Sequence, residues 1–433
     1  ENMSLKEILL KSTENSVEVK KAKCFDGDIT SLTEEEIKLF NRYYCEFMKT
    51  QDVNSEKIPK FFINLPADHS LLLRLREESR TEFLLAKNRS LIEYDDLEAL
   101  KPLLDDYASP PFKNGKLMIN YENFLKVKCL AGGNFKHYFT PQIFSKLQDG
   151  DPYGRIQIML FFDYVVKKVW LQRTRISLSL NDTKGQGYLD EENLEKYITE
   201  LIPSLSQLSK VEETFHYFYI CTAVRKFVFF LDPLRTGRIK IPDILACGFL
   251  DDLSELRDDE TSEGNWFSSS SALHVYGQYL NLDKDRDGLL SEDELARYGT
   301  YTKVFIKRVF QEYSTYNGSM DYRNFLDFVL ALENRREPQA LQYLFRVLDI
   351  DHKGYINGFV INYFFRAIQD LFKDHSEELV EFEPFKTEIF DMVKPDVYDH
   401  ITLKDLIKCG RGDTVVSILI DFKGFLTYVN KDS

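Results

Sequence analysis

The apolar and polar positions of this chain follow a template that returns several times. In INYENFLKV (Ile119–Val127) and MDYRNFLDF (Met320–Phe328) an apolar residue precedes a polar one, a tyrosine, a variable residue and then Asn-Phe-Leu. A related outline, a glycine turn followed by an apolar residue and an amphipathic helix, recurs from Asp149, Asp182, Asp232, Asp283 and Asp349, and more weakly from Pro395. In five of these loops the residue two after the glycine is apolar: Ile156, Leu189, Ile239, Leu290 and Ile356. In a helix-loop-helix ion-binding hand that position forms a short β-bridge to a partner loop, so hands come in pairs.

The pattern therefore predicts a mainly α fold. It is an elongated array of paired EF-hand-like helix-loop-helix units, about seven in all, arranged in two halves behind a helical leader. The leader contains LLLRLREESRTEFLLAKNRSLI (Leu71–Ile92), whose leucines recur at helical spacing. The expected organisation is a variable N-terminal segment over 1–53, the leader over 54–105, a domain of degenerate hands over 106–260 and a C-terminal hand domain over 261–433. The join is placed near the acidic stretch DDLSELRDDETSEGN (Asp251–Asn265).

Candidate chemistry concentrates in one loop. Calcium takes six to eight oxygens, which a twelve-residue loop supplies from positions one, three, five, seven, nine and twelve, with glycine at six. LDKDRDGLLSEDEL (Leu282–Leu295) meets each requirement over 283–294. Asp283, Asp285 and Asp287 offer carboxylates, Leu289 its backbone oxygen, Ser291 an oxygen through water and Glu294 both carboxylate oxygens, while Gly288 makes the turn. The alternative for this stretch is a solvated acidic turn. One Ca2+ site is expected, with a sensor-type affinity of roughly 10⁻⁷–10⁻⁵ M.

The other loops lack ligands. From Asp349 the third position is Asp351, but the fifth is Lys353 and the twelfth Val360. The loop from Asp182 has Lys184 and Asn193 at positions three and twelve, and that from Asp232 has Leu234 and Thr236 at three and five. The loop from Asp149 keeps Asp151 but offers Tyr153 and Leu160, so Asp149 or Asp151 is expected to act as a helix cap.

Composition narrows the function classes. With 43% hydrophobic and 14% aromatic residues in 433, the chain can bury more than one core. A net charge of −14 and short basic clusters such as KKAK (Lys20–Lys23) argue against a nucleic-acid partner. FHYFYICTAVRKFVFFL (Phe215–Leu231) is broken by Arg225 and Lys226 before it could span a bilayer, so it reads as a buried helix and no membrane partner is expected. Cys24, Cys45, Cys129, Cys221, Cys247 and Cys409 are scattered without zinc or disulfide spacing, which suits reduced thiols in a cytosolic or nuclear protein. No nucleophile elbow, phosphate loop, metalloprotease or kinase signature occurs, and a non-enzymatic role is expected.

Several longer strings carry a resemblance. IPKFFINLP (Ile58–Pro66), MINYENFLKV (Met118–Val127), FFLDPLRTGRIKI (Phe229–Ile241), NWFS (Asn265–Ser268), DFVLALENRREP (Asp327–Pro338) and EIFDMVKP (Glu388–Pro395) together resemble the B-double-prime family of protein phosphatase 2A regulatory subunits. The branch is the gamma type, which includes plant Tonneau2 or Fass, and the resemblance runs from Ile58 to Thr427. It implies a non-catalytic third component of a heterotrimer with the scaffold (A) and catalytic (C) subunits, directing serine/threonine dephosphorylation to chosen substrates. It also implies the cytoplasm and nucleus as locations, with a centrosomal or microtubule-associated targeting protein as a further partner.

The family's calcium ligands fall on Asp283, Asp285, Asp287, Leu289 and Glu294, whereas a second calcium hand known in the broader family has no intact counterpart here. Ile58, Pro59, Phe61 and Phe62 form a candidate docking element, since proline fixes an extended backbone and phenylalanines make rigid anchors. Alternatively, these aromatics staple the leader to its own first half. Two other functional readings stay open, an independent calcium-sensor adaptor and a cytoskeletal scaffold without phosphatase. Only six methionines occur, few for a versatile sensor groove.

Overall fold

The computed structural model describes residues 70–429 apart from 112–115, 209–210, 258–263, 314–315 and 376–380, together with positions 38 and 42. Ile58, Pro59, Phe61 and Phe62 lie outside the described residues. The chain divides into two units, Glu1–Leu72 and Leu73–Ser433. Of the first, the helical positions Lys38 and Arg42 and the opening turn of the helix Ser70–Arg89 are described. All else below concerns the second.

Helices dominate, and the few strands are the bridges of paired hands. Met118–Ile119 pairs antiparallel with Ile156–Gln157, and Tyr188–Leu189 with Ile239–Lys240. Single bridges join Leu290 to Met320 and Ile356 to Ile401. Among the described residues this makes four bridged pairs, or eight loops, one more than the periodicity suggested. Every apolar residue expected to bridge does so; of their partners, Ile119 and Ile401 lack the glycine signal, while Met320 has Gly318 two residues before it and was overlooked.

A second regularity explains why each bridge hands the chain to a helix. The residue after the bridge caps the next helix through its side chain at Asn120, Asp190, Ser291, Asp321, Asn357 and Thr402. An extended apolar residue enters the core, and the polar residue that follows accepts an otherwise orphaned N–H. Gln157 and Lys240 are the two departures, with no side-chain cap.

The hands pack into two apolar cores. The smaller gathers Ile92, Leu104, Phe124, Phe139, Phe161 and Val165 around the first pair. The larger runs from Leu178 to Phe425 through the other three pairs. The helix Ile158–Asn181, 24 residues long, leaves the second hand and enters the third, placing Val169 in the smaller core and Leu178 in the larger. The acidic stretch Asp251–Asn265, read from composition as the join between halves, contains Leu253 and Leu256 and is followed by Trp266, all three buried in the larger core. Phe215–Leu231 lies within the helix Glu213–Leu231, whose residues Phe215, Tyr219, Val224 and Phe227 are buried. No helix among the described residues is long and apolar enough to cross a membrane.

Candidate metal centre

The fifth loop joins the helix Ser269–Leu282 to the short helix Glu292–Leu295. Its turn is set by backbone geometry: Gly288 has φ +81, a conformation that L side chains rarely adopt, and the Tyr279 hydroxyl donates to the Gly288 carbonyl at 2.7 Å. Asp283, buried at the end of the incoming helix, accepts the N–H groups of Arg286 (2.7 Å) and Gly288 (3.1 Å). Asp287 accepts from Leu289 at 2.7 Å, and Asp285 from Asp287 at 3.3 Å.

These bonds turn three carboxylates toward one point. One oxygen from each of Asp283, Asp285 and Asp287 lies within 4.8 Å of the others. An N–H bond from Asp287 pulls the Asp285 carboxyl down. Desolvation and the negative charges of Asp287 and Glu294 outweigh it and leave the group above the ordinary aspartate value. Oxygen ligands converging under mutual repulsion suit a hard divalent cation, which would relieve that repulsion.

Glu294 is placed differently from its three neighbours. It is buried, and its Oε1 accepts from the Lys284 N–H at 2.7 Å while Oε2 accepts from the Ser291 N–H (2.9 Å) and hydroxyl (2.8 Å). Desolvation resists its ionisation, but these bonds more than offset it and hold the carboxyl below its ordinary value. Ser291 and Glu294 form a capping box at the start of the outgoing helix. The structure thus gathers the three aspartates, and ties Glu294 and Ser291 to the loop backbone beside them.

Three other loops carry a protein cation against the acidic side chain an ion would use. In the second loop Arg155 grips Asp151 at two points, Nε to Oδ2 and Nη2 to Oδ1, both 3.0 Å. Asp151 is therefore no helix cap, and the Arg155 guanidinium holds its carboxyl down to about 2. In the third loop Arg80, from the helix Ser70–Arg89, lies 3.3 Å from the buried Asp182 carboxylate and donates to the Asp182 and Ser179 carbonyls. Gly185 has no side chain to obstruct it: a Cβ there would fall 2.7 Å from Arg80 Nη1. In the seventh loop Lys353 places its ammonium 2.7 Å from Asp351. Lys353 was readable as a lost ligand; Arg155 and Arg80 were missed.

No family model matches the chain. The human B'' gamma regulatory subunit of serine/threonine-protein phosphatase 2A is 58% identical over 412 residues, covering 93% of this chain and 91% of that protein. The probable B'' regulatory subunit TON2 of Arabidopsis thaliana is 35% identical over 90% of this chain and 86% of its own length. A chain of a solved PP2A PR70 holoenzyme, labelled diCa, is 25% identical, spans 56% of this chain and 93% of that one, and superposes with a TM-score of 0.52. Similarity of this strength along nearly the whole length means that the chain belongs to the B'' family of protein phosphatase 2A regulatory subunits.

Proposed function

We propose that this chain is a non-catalytic B''-type subunit that binds the scaffold and catalytic subunits of protein phosphatase 2A and directs serine/threonine dephosphorylation to chosen substrates. The observation that carries the reading is the 58% identity over 93% of the chain to a B'' gamma subunit. An array of helix pairs suits the long surface of a helical-repeat scaffold. Ile58, Pro59, Phe61 and Phe62 are the proposed docking element, and the cytoplasm, the nucleus and centrosomal or microtubule-organising structures are the proposed locations.

One calcium ion belongs to this reading. Asp283, Asp285 and Asp287 would hold it, with Leu289, Ser291 and Glu294 completing the set. The ion supplies positive charge that fixes the relation between the incoming and outgoing helices. The domain limits near residues 53, 105 and 260 remain part of the proposal.

Affinity purification of the tagged full chain from cells tests the assembly. Scaffold and catalytic subunits are expected at one-to-one stoichiometry, with Phe61→Ala and Phe62→Ala reducing both. Recovery of the chain without them would leave the calcium-sensor or cytoskeletal-scaffold reading.

A further inference from the structure

Away from the calcium loop, a cavity of about 160 Å³ opens between the fourth loop and the helix Pro338–Leu348. Its floor is Asp327, 2% exposed, which accepts from Arg225 Nη2 at 2.6 Å and from Arg235 Nη2 at 3.1 Å. Arg346 forms another wall, and its Nε lies 3.5 Å from Glu312, a carboxylate already bound by Arg308 at 2.6 Å. Asp232, the other acid lining the cavity, is held by the Thr236 and Gly237 N–H groups, so the lining sets three arginines, Arg225, Arg235 and Arg346, against two aspartates.

Both outer arginines rest on one aromatic ring. The Arg235 and Arg346 guanidinium carbons lie 4.5 and 5.7 Å from the Tyr313 centroid. Packed there, a guanidinium keeps in-plane N–H donors for a partner. Arg235 Nε and Nη1 and Arg346 Nη1 and Nη2 donate to none of the described residues, and the two side chains are 39% and 56% exposed.

Two further features describe what would fit. Gln339, also lining the cavity, donates from Nε2 to the Phe230 carbonyl at 3.1 Å, which fixes its amide, yet its buried Oε1 has no hydrogen-bond partner. A buried acceptor of this kind lacks an N–H or O–H. At the rim, Leu234 is 77% exposed and offers apolar contact. An oxyanion, a nearby amide N–H and an apolar neighbour together make a short stretch of peptide. The volume is below the roughly 300–1,000 Å³ of pockets that enclose whole cofactors, and it suits one side-chain head group.

We infer that this cavity binds an acidic side chain of a partner peptide, with Arg235 and Arg346 on its oxyanion, Gln339 on its amide N–H and Leu234 against the next residue. The site shares no residue with the calcium loop over 283–294. The oxyanion can be a glutamate carboxylate or a phosphoserine phosphate, which share the chemistry the arginines read.

The full chain, labelled with ¹⁵N-arginine, tests this by titration with N-acetyl-phosphoserine methylamide, N-acetylglutamate methylamide and the uncharged glutamine analogue. Saturable shifts of the Arg235 and Arg346 Nε–H resonances are expected with at least one anion and not with glutamine, and the tighter anion identifies the source. Arg346→Gln alters a half-exposed side chain and leaves Glu312 its Arg308 partner, so the fold should persist while affinity falls about tenfold or more. Arg235→Lys keeps a cation on Asp327 and should also weaken binding. Glutamine shifting the resonances as much as both anions, no shift at all, or unchanged affinity in Arg346→Gln would overturn the inference.

Discussion

Arg155 sits four residues after Asp151 in the same loop and holds both of its carboxylate oxygens at 3.0 Å. The remaining guanidinium nitrogen donates to the Ser109 and Pro111 carbonyls, each at 3.0 Å, and so ties the first loop to the second. A tethered cation occupies the electrostatic role that an ion has in a calcium hand. Arg80 in the third loop and Lys353 in the seventh repeat the device.

The Asp151 pair predicts acid sensitivity. Its carboxyl is lowered from 3.8 to about 2 in the folded chain, so its contribution is fully present above the unfolded value and fades as pH falls from about 4 through 2. Thermal melts between pH 6 and pH 2 should show Arg155→Met melting several degrees below the parent at pH 6. The gap should narrow toward pH 2. A gap that does not change with pH would mean that Arg155 acts through packing alone.

Arg80 is predicted to anchor its helix to the third loop. Its removal leaves the Asp182 carboxylate, 4% exposed, without its cation. Urea unfolding of Arg80→Met should show a loss of about 1–3 kcal/mol. No calcium binding should be gained, because Lys184 and Asn193 still stand where ligands are needed. Heat of calcium binding at a new site would refute the account of this loop.

How far the sequence reveals this design depends on the range of each interaction. Five bridging residues, Leu290 among them, were read because the glycine two residues before each is a local signal; the caps that follow the bridges, as in Leu290-Ser291 and Met320-Asp321, are as local but were not read. Ligand loss in the degenerate loops was readable for the same reason. Arg155 was within reach, since a cation four residues after an acid in one loop is a local signal. Arg80 lies 102 residues from Asp182, and no spacing reports a contact of that separation.

Pairing also predicts that the calcium loop depends on a residue with no ligand atom. Met320 is fully buried and exchanges backbone hydrogen bonds of 2.7 and 2.8 Å with Leu290. Met320→Ala should cost about 2–5 kcal/mol of stability, as large-to-small core changes do. It should also weaken calcium binding with every ligand in place. Calorimetric titration that gives parental affinity in this variant would show the two loops to be uncoupled.

The contact between the second and third hand pairs rests on Asp327, which holds Arg225 and Arg235 from across the interface at 2.6 and 3.1 Å. Asp327→Ala leaves Arg225, itself largely buried, with Glu191 at 3.3 Å as its remaining carboxylate, and a loss of about 3 kcal/mol is expected in chemical denaturation. A loss below about 1 kcal/mol would show that the guanidinium finds another partner.

The central claim is one calcium loop within a paired array whose other loops have lost the ion, and the binding stoichiometry of the full chain tests it most directly. Isothermal titration with calcium should give one site per chain, absent in the Asp283→Asn, Glu294→Gln double variant. Two sites, or one that survives the double substitution, would contradict it.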